Sequence, residues 1–253
     1  MMGKLNPFCN TDEAYIFWSD KGNTPMDNST MESYKKLLAK TDELVKAKFV
    51  EMFGDPVTNS KYLRKEKLGE ITTVQRGGSP RPISDYITTD ENGLNWIKIG
   101  DANTGRYIIH TEEKIKPEGL RKTRQVYSGD LLLSNSMSFG RPYILKIDGC
   151  IHDGWLVIHF DEKILNAIYL QTYFSLPSTY SMFESMAAGG VVNNLNSEIV
   201  QKLPVLIPSI ERQKDIEDFI LINDESKSAI QASLDSLTQV YKKIIAENLG
   251  GNE

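Results

Sequence analysis

Residues 209–248 read SIERQKDIEDFILINDESKSAIQASLDSLTQVYKKIIAEN, a run free of proline and glycine. Apolar side chains recur at steps of four and three, at Ile216, Ile220, Ile230, Leu234, Leu237, Tyr241 and Ile244, with Asn223 and Lys227 filling two seam positions. The spacing predicts one long helix with its seam on a single face. At 1.5 Å per residue it would run roughly 60 Å, longer than a small domain is wide. Such a helix cannot lie wholly on its own domain's core, so part of the seam must meet another helix. The polar pair Asn223 and Lys227 leaves two readings open. It is a solvated patch where the helix leaves the globule, or the asparagine fixes the register of a paired helix.

A second helix is expected upstream. From about Ser29, Tyr34, Leu37, Leu38, Thr41, Val45, Phe49 and Met52 fall on one side, and Gly54-Asp55-Pro56 ends the pattern,. It is a little over half as long as the last helix, so packing the two together would leave much of the longer seam uncovered. Before it, Asn6-Pro7, Gly22-Asn23 and Thr24-Pro25 are turn signals around the cluster Tyr15 to Trp18,.

Between the helices the pattern changes. Leu68 to Val74, Leu94 to Ile99, Tyr107 to Ile109, Asp130 to Leu133, Tyr143 to Ile147 and Trp155 to Phe160 are short β-branched or aromatic runs bounded by turn residues, and they predict strands,. Asp148-Gly149 suggests a hairpin. Ile164 to Ser175 and Ser178 to Ala187 predict short helices, Asn196 a helix cap, and LPVLIP a buried extended exit. Strands in a run, with few helices between them, point to an α+β fold with a mixed or antiparallel sheet.

The chain of 253 residues has 40% hydrophobic and 25% charged residues, an ordinary globular composition with no apolar run long enough for a membrane span,. The N-terminus shows no basic segment followed by an apolar one, so no signal peptide and a cytoplasmic location are expected. Two distant cysteines and three histidines make neither a disulfide framework nor a zinc site,. The net charge of -5 is unevenly spread. Residues 57–207 balance to +1 and hold seven of the eight arginines, while the flanks are acidic. Arginine suits bidentate contact with phosphate or guanine.

Catalytic motifs are missing. There is no GxxxxGK[ST] loop, no GxGxxG, no HExxH, and no Pro-Pro of the kind an amino-methyltransferase turn carries,. Asp161-Glu162-Lys163 has no partner acid for a nuclease set, and no serine sits in GxSxG,. No catalysis and no metal site are expected of this chain. Polar, glycine-bearing loops are present instead. Arg76, Gly77, Gly78, Ser79 and Arg81 follow a strand, with glycines for close backbone approach and arginines for charge. Ser134, Asn135, Ser136, Ser138 and Arg141 offer small donors and acceptors suited to base edges and phosphates. His152, Asp153 and Trp155 form a turn with an aromatic, and Asn193 and Asn194 lie in a loop after Gly189-Gly190. Together these are the candidate DNA-binding residues.

TDELVKAKFVEMFGDP (Thr41 to Pro56), LGEITTVQRGGSP, NWIKIGDAN, SFGRPYIL, AAGGVVNNLN and LPVLIPSIERQKDIEDFI, in that order, resemble the landmarks of the specificity subunit of type I restriction-modification systems, in particular its distal half. The resemblance runs from about residue 29 to the end. SNSMSFGR stands where that family often has a glycine-rich run of the Ala-Thr-Ile-Gly-Lys kind. The resemblance implies a non-catalytic DNA sequence reader that directs a methyltransferase (M) subunit, and through it a restriction (R) subunit, to one half of a bipartite double-stranded site. S-adenosylmethionine, ATP and Mg are then expected in the partners, with no cofactor in this chain.

It further implies a spacer helix over residues 29–56, a target recognition domain over 57–207 and a C-terminal spacer helix over 208–253, leaving 1–28 unassigned. A complete subunit of the family has two recognition domains, whereas this chain has one. A homodimer is therefore expected, held by Ile216, Ile220, Asn223, Ile230, Leu234, Leu237, Tyr241 and Ile244. The alternative is an assembly or decoy protein that binds the methyltransferase through its helices without reading DNA.

Overall fold

The computed structural model describes residues 17–18, 25–26, 28–102, 105–135, 140–187 and 195–249, with side chains from residue 30 to 240 within those ranges and at 242 and 243. The chain divides into two compact units, residues 48–218 and residues 1–47 with 219–253.

The helical unit contains β1 (Phe17–Trp18) paired with β2 (Pro25–Met26), most of α1 (Asn28–Phe53) and most of α6 (Ile210–Leu249). The two helices pack antiparallel. Asn223 Nδ2 donates to the Thr41 carbonyl at 3.3 Å and Lys227 pairs with Asp42 at 2.7 Å. Tyr34, Leu38, Thr41 and Val45 are the covered side of α1, at alternating steps of four and three. Leu37 departs from that expectation and is 46% exposed. At about 100° per residue it falls well to one side of the line through its neighbours.

The larger unit is built on two five-stranded mixed sheets. The first, in the order β4-β13-β10-β11-β7, uses Thr72–Arg76, Trp155–Phe160, Leu131–Ser134, Pro142–Leu145 and Tyr107–Ile108. All its pairs are antiparallel except β11 with β7. The second, in the order β5-β8-β6-β12-β9, uses Ile87–Thr88, Glu113–Ile115, Leu94–Ile97, Gly149–Ile151 and Arg124–Val126, and here only β6 with β12 is parallel. A two-stranded ribbon joins β3 (Lys65–Lys67) to β14 (Pro204–Leu206). The fold is α+β, as expected.

Side-chain alternation sorts the core. Leu132, Tyr143, Leu145, Trp155 and Val157 of the first sheet meet Ile97, Val126 and Ile151 of the second. Leu131, Leu133, Ile144, Leu156 and Ile158, one position out of phase, are buried on the opposite face of the first sheet. On that side lie α3 (Ala167–Phe174), α4 (Pro177–Ala187) and α5 (Ser197–Gln201), with α3 on β11 and α5 on β4. The ends of α1 and α6 enter the same layer. Phe49 stacks on Tyr169 at 5.1 Å, and Gln213 bonds the Ile164 and Pro208 carbonyls.

Two expectations need correction. Leu68–Ile71 is a helical turn, α2, and not the start of a strand; Thr72 Oγ1 bonds back to the Leu68 carbonyl and the strand begins only there. Asp148-Gly149 does not close a hairpin, because β11 and β12 belong to different sheets. Gly149 lets the backbone turn away. A Cβ there would sit 2.6 Å from the Asn95 carbonyl of the neighbouring β6.

Candidate nucleic-acid interface

Strand register brings the polar loops to one edge. Trp155 is opposite Ser134 and Leu156 is opposite Arg76, so β4 and β10 end where β13 begins. β12 of the other sheet ends at Ile151 beside them, since Gly78 N–H donates to the Ile151 carbonyl and Gly77 N–H to that of Trp155. The loops after Arg76, Ser134 and Ile151 therefore meet, although they are far apart in sequence.

Asp153 is the hub. Its carbonyl accepts from Arg76 Nε and Asn135 Nδ2, both at 2.9 Å, and its carboxylate accepts from Ser79 Oγ at 2.8 Å and His152 Nε2 at 2.9 Å. Desolvation pushes the Asp153 carboxyl upward, but the Ser79 hydroxyl and the electrostatic pull of His152, Arg76 and Arg81 outweigh it, and the group lies below the usual carboxylate range,. The His152 tautomer follows from the geometry. Its Nδ1 accepts from Gly154 N–H at 3.0 Å, so Nε2 carries the proton given to Asp153,.

The predicted residues divide into two kinds. Arg76, Arg81 and Arg141 are exposed at this edge. Ser134, Asn135 and Trp155 are buried and shape the edge from behind. Asn135 ties three segments, donating to Asp153, bonding through its N–H to the Gly154 carbonyl, and accepting from Leu195 N–H. Among the described residues its Oδ1 has no partner. Trp155 is fully buried and stands edge-on to Tyr143 at 5.7 Å, so it is a core residue and not a contact.

The glycine pair also has a different task from the one its sequence suggests. A Cβ on Gly77 would lie 2.2 Å from the His152 carbonyl, and one on Gly78 would lie 2.6 Å from that of Lys122. Close approach is needed here to another part of the chain's own backbone. Ser136, Ser138, Asn193 and Asn194 lie outside the described residues.

The partner of Gly78 exposes a contribution absent from the sequence-based set. The 3-10 segment Pro117–Lys122 delivers Arg121 and Lys122, and β9 delivers Arg124 opposite Ile151. All three are exposed. Lys122 lies over the Tyr86 ring at 5.1 Å, and Thr123 Oγ1 donates to the Ile151 carbonyl at 2.7 Å. Three cations in four residues were visible in the sequence, but only the pairing of β9 with β12 places them beside Arg76 and Arg81. The edge thus carries guanidinium and ammonium groups beside a part-buried polar network that holds Arg76, and such groups suit phosphate oxygens and guanine edges,.

Among the described residues no group of His, Cys, Asp or Glu could hold a metal ion. Asp161 accepts the backbone N–H of Lys163 in an exposed turn. No described helix is long and apolar enough to cross a membrane.

The chain belongs to the family of type I restriction modification DNA specificity domains, whose family model matches residues 63–238. Solved structures of similar fold include the HsdS subunit from Thermoanaerobacter tengcongensis, 17% identical with a TM-score of 0.61, over 88% of this chain and 54% of that one. A chain from a study of complex assembly and conformational transition of the type I R-M system is 18% identical with a TM-score of 0.64, over 85% and 53%. The S subunit of the type I restriction-modification system from M. genitalium is 14% identical with a TM-score of 0.54, over 85% and 56%. The chain spans about half the length of these solved chains.

Proposed function

We propose that this chain is a non-catalytic specificity subunit that reads one half of a bipartite duplex site and directs a methyltransferase subunit to it, with a restriction subunit joining through that partner. The observation that carries this reading is the convergence of Arg76, Arg81, Arg141 and Arg121 to Arg124 on one sheet edge. S-adenosylmethionine, ATP and Mg belong to the partner subunits, and the complex works in the cytoplasm. Residues 57–207 act as the recognition domain, and 29–56 and 208–253 as spacers.

Fluorescence anisotropy on the cognate duplex tests the reading. Arg141→Ala is expected to weaken specific binding by about 1–3 kcal/mol, the value of one good bidentate pair, and Lys163→Ala to leave it unchanged. Equal small effects would remove Arg141 from the site. Retained methyltransferase binding with no DNA binding at all would make the chain an assembly protein.

The subunit is further proposed to act as a homodimer. Much of the seam assigned to a partner helix is used within the chain, since Ile216, Ile220 and Asn223 are buried in the single copy and Asn223 bonds α1. What supports a second copy is the remainder. Thr41 stands opposite Asn223, and α1 starts 13 residues before Thr41, level with about residue 236 of α6,. The last turns of α6 extend past that point. Leu237 is half-buried, while Tyr241 and Ile244 have side chains outside the described set. At about 100° per residue, Leu37 and Leu44 of α1 lie on the same face of the antiparallel pair as Ile222 and Val240 of α6. These four are 46%, 53%, 66% and 56% exposed. Sedimentation of a monomer at micromolar concentration would rule the dimer out.

A further inference from the structure

The segment from Gly54 to Lys67 is built to present a side chain that its own fold does not use. Tyr62 is 92% exposed, yet its backbone sits at φ 53°, and Asn59 sits at φ 45°. A non-glycine residue in this region costs about 1–2 kcal/mol, and most so for a bulky one. The loop is nevertheless locked. Asp55 Oδ1 accepts from Val57 N–H at 2.9 Å and Thr58 N–H at 3.3 Å, and the Asn59 side chain both donates to and accepts from the Leu63 backbone at 2.9 Å. Lys65 Nζ reaches back to the Pro56 carbonyl, and Tyr62 N–H to that of Asn59.

Lys61, Arg64, Lys65 and Lys67 flank Tyr62 in sequence and are all exposed, with Arg64 paired to Glu66 at 2.9 Å. Val57 adds an apolar surface that is 55% exposed. An exposed aromatic on a hydrogen-bonded loop, with an apolar residue and several cations nearby in sequence, has the composition of a protein-binding hot spot. Its location separates it from the DNA-reading edge. Lys65 and Lys67 belong to β3 in the two-stranded ribbon, whereas Arg76 ends β4 of the first sheet.

We propose that Tyr62 and its basic surround form a docking site for an acidic protein surface with a hollow that accepts the phenol ring, carried by the methyltransferase partner. The assignment of that partner rests on the function proposed above. The loop follows α1 directly, so the docked protein contacts the base of the spacer helix and not the target-reading loops.

The test uses the full chain, its purified methyltransferase subunit and the cognate duplex. Tyr62→Ala and the charge reversal Lys61→Glu with Lys67→Glu are each expected to weaken methyltransferase binding about tenfold or more in calorimetry. Tyr62→Phe should retain most of it, and duplex binding by the chain alone should be unaffected. Tyr62→Gly separates docking from folding. It removes the backbone strain and should raise the melting temperature while still losing the partner. Unchanged partner affinity in Tyr62→Ala overturns the proposal. A parallel loss of duplex binding would make the patch a DNA contact instead. An unaltered chain that binds its duplex but no methyltransferase would overturn the docking and the partner assignment together, and leave DNA reading intact.

Discussion

The two units dispose of their apolar side chains in opposite ways. In the larger unit, every residue of Leu131–Ser134 and the first four of β13 are buried, because another sheet covers one face and helices cover the other. In the helical unit, α6 beyond Lys227 has Leu234 as its one buried position among residues 228–240, while Ile222 and Val240 face solvent. The helices carry apolar surface that the described residues do not cover, and apolar patches of that kind mark interaction sites,.

The largest test of this contrast is in the sheet unit. Trp155→Ala empties a fully buried site between the sheets and is expected to cost about 3–5 kcal/mol in a urea titration,. A cost below 1 kcal/mol would mean the core there is not closed. Next comes Gly77→Ala, whose new methyl would meet the His152 carbonyl at 2.2 Å. Overpacking of this kind costs about 1–3 kcal/mol, and because backbone must shift, duplex binding is expected to fall with stability.

In the helical unit the effects are smaller and should split. Leu234→Ala, at a site 7% exposed, is expected to cost about 2 kcal/mol, and Ile222→Ala no more than about 0.5 kcal/mol in the isolated chain,. If the dimer forms, Ile222→Ala also weakens association, read by sedimentation. The smallest effect is one of pH. Asp153 has its folded-state carboxyl below the ordinary value, so it adds stability above the unfolded-state value of about 3.9, and that contribution is lost as pH falls through the lower folded value,. Asp153→Asn should therefore melt below the parent at neutral pH, with the gap narrowing in acid.

The helices and most strands were legible because period and punctuation are local. Gly54 stops α1 where its glycine stands, and Asn196 caps α5 through a bond to Ile199 N–H. The hairpin at Asp148-Gly149 misled because a turn signal does not say which sheet each flank joins. For the interface, all three charged or polar loops were visible from their composition, yet their roles were not. Nothing local distinguishes the exposed Arg141 from the buried Asn135, and the place of Lys122 depends on a pairing between segments 25 residues apart. Asn223 shows the intermediate case. Its seam position was plain in the sequence, but whether it met solvent or a helix was settled only by the Thr41 carbonyl.

The crossing at Gly77 and Gly78 limits how the proposed reading surface could be given a new target. With no space for a β-carbon at either residue, the path of the main chain is set, while Arg76, Arg81, Arg121, Lys122 and Arg124 project from it into solvent. Retargeting by side-chain exchange at those five positions keeps the frame intact. Transplanting the whole loop would also require its crossing partners at His152 and Lys122 to travel with it.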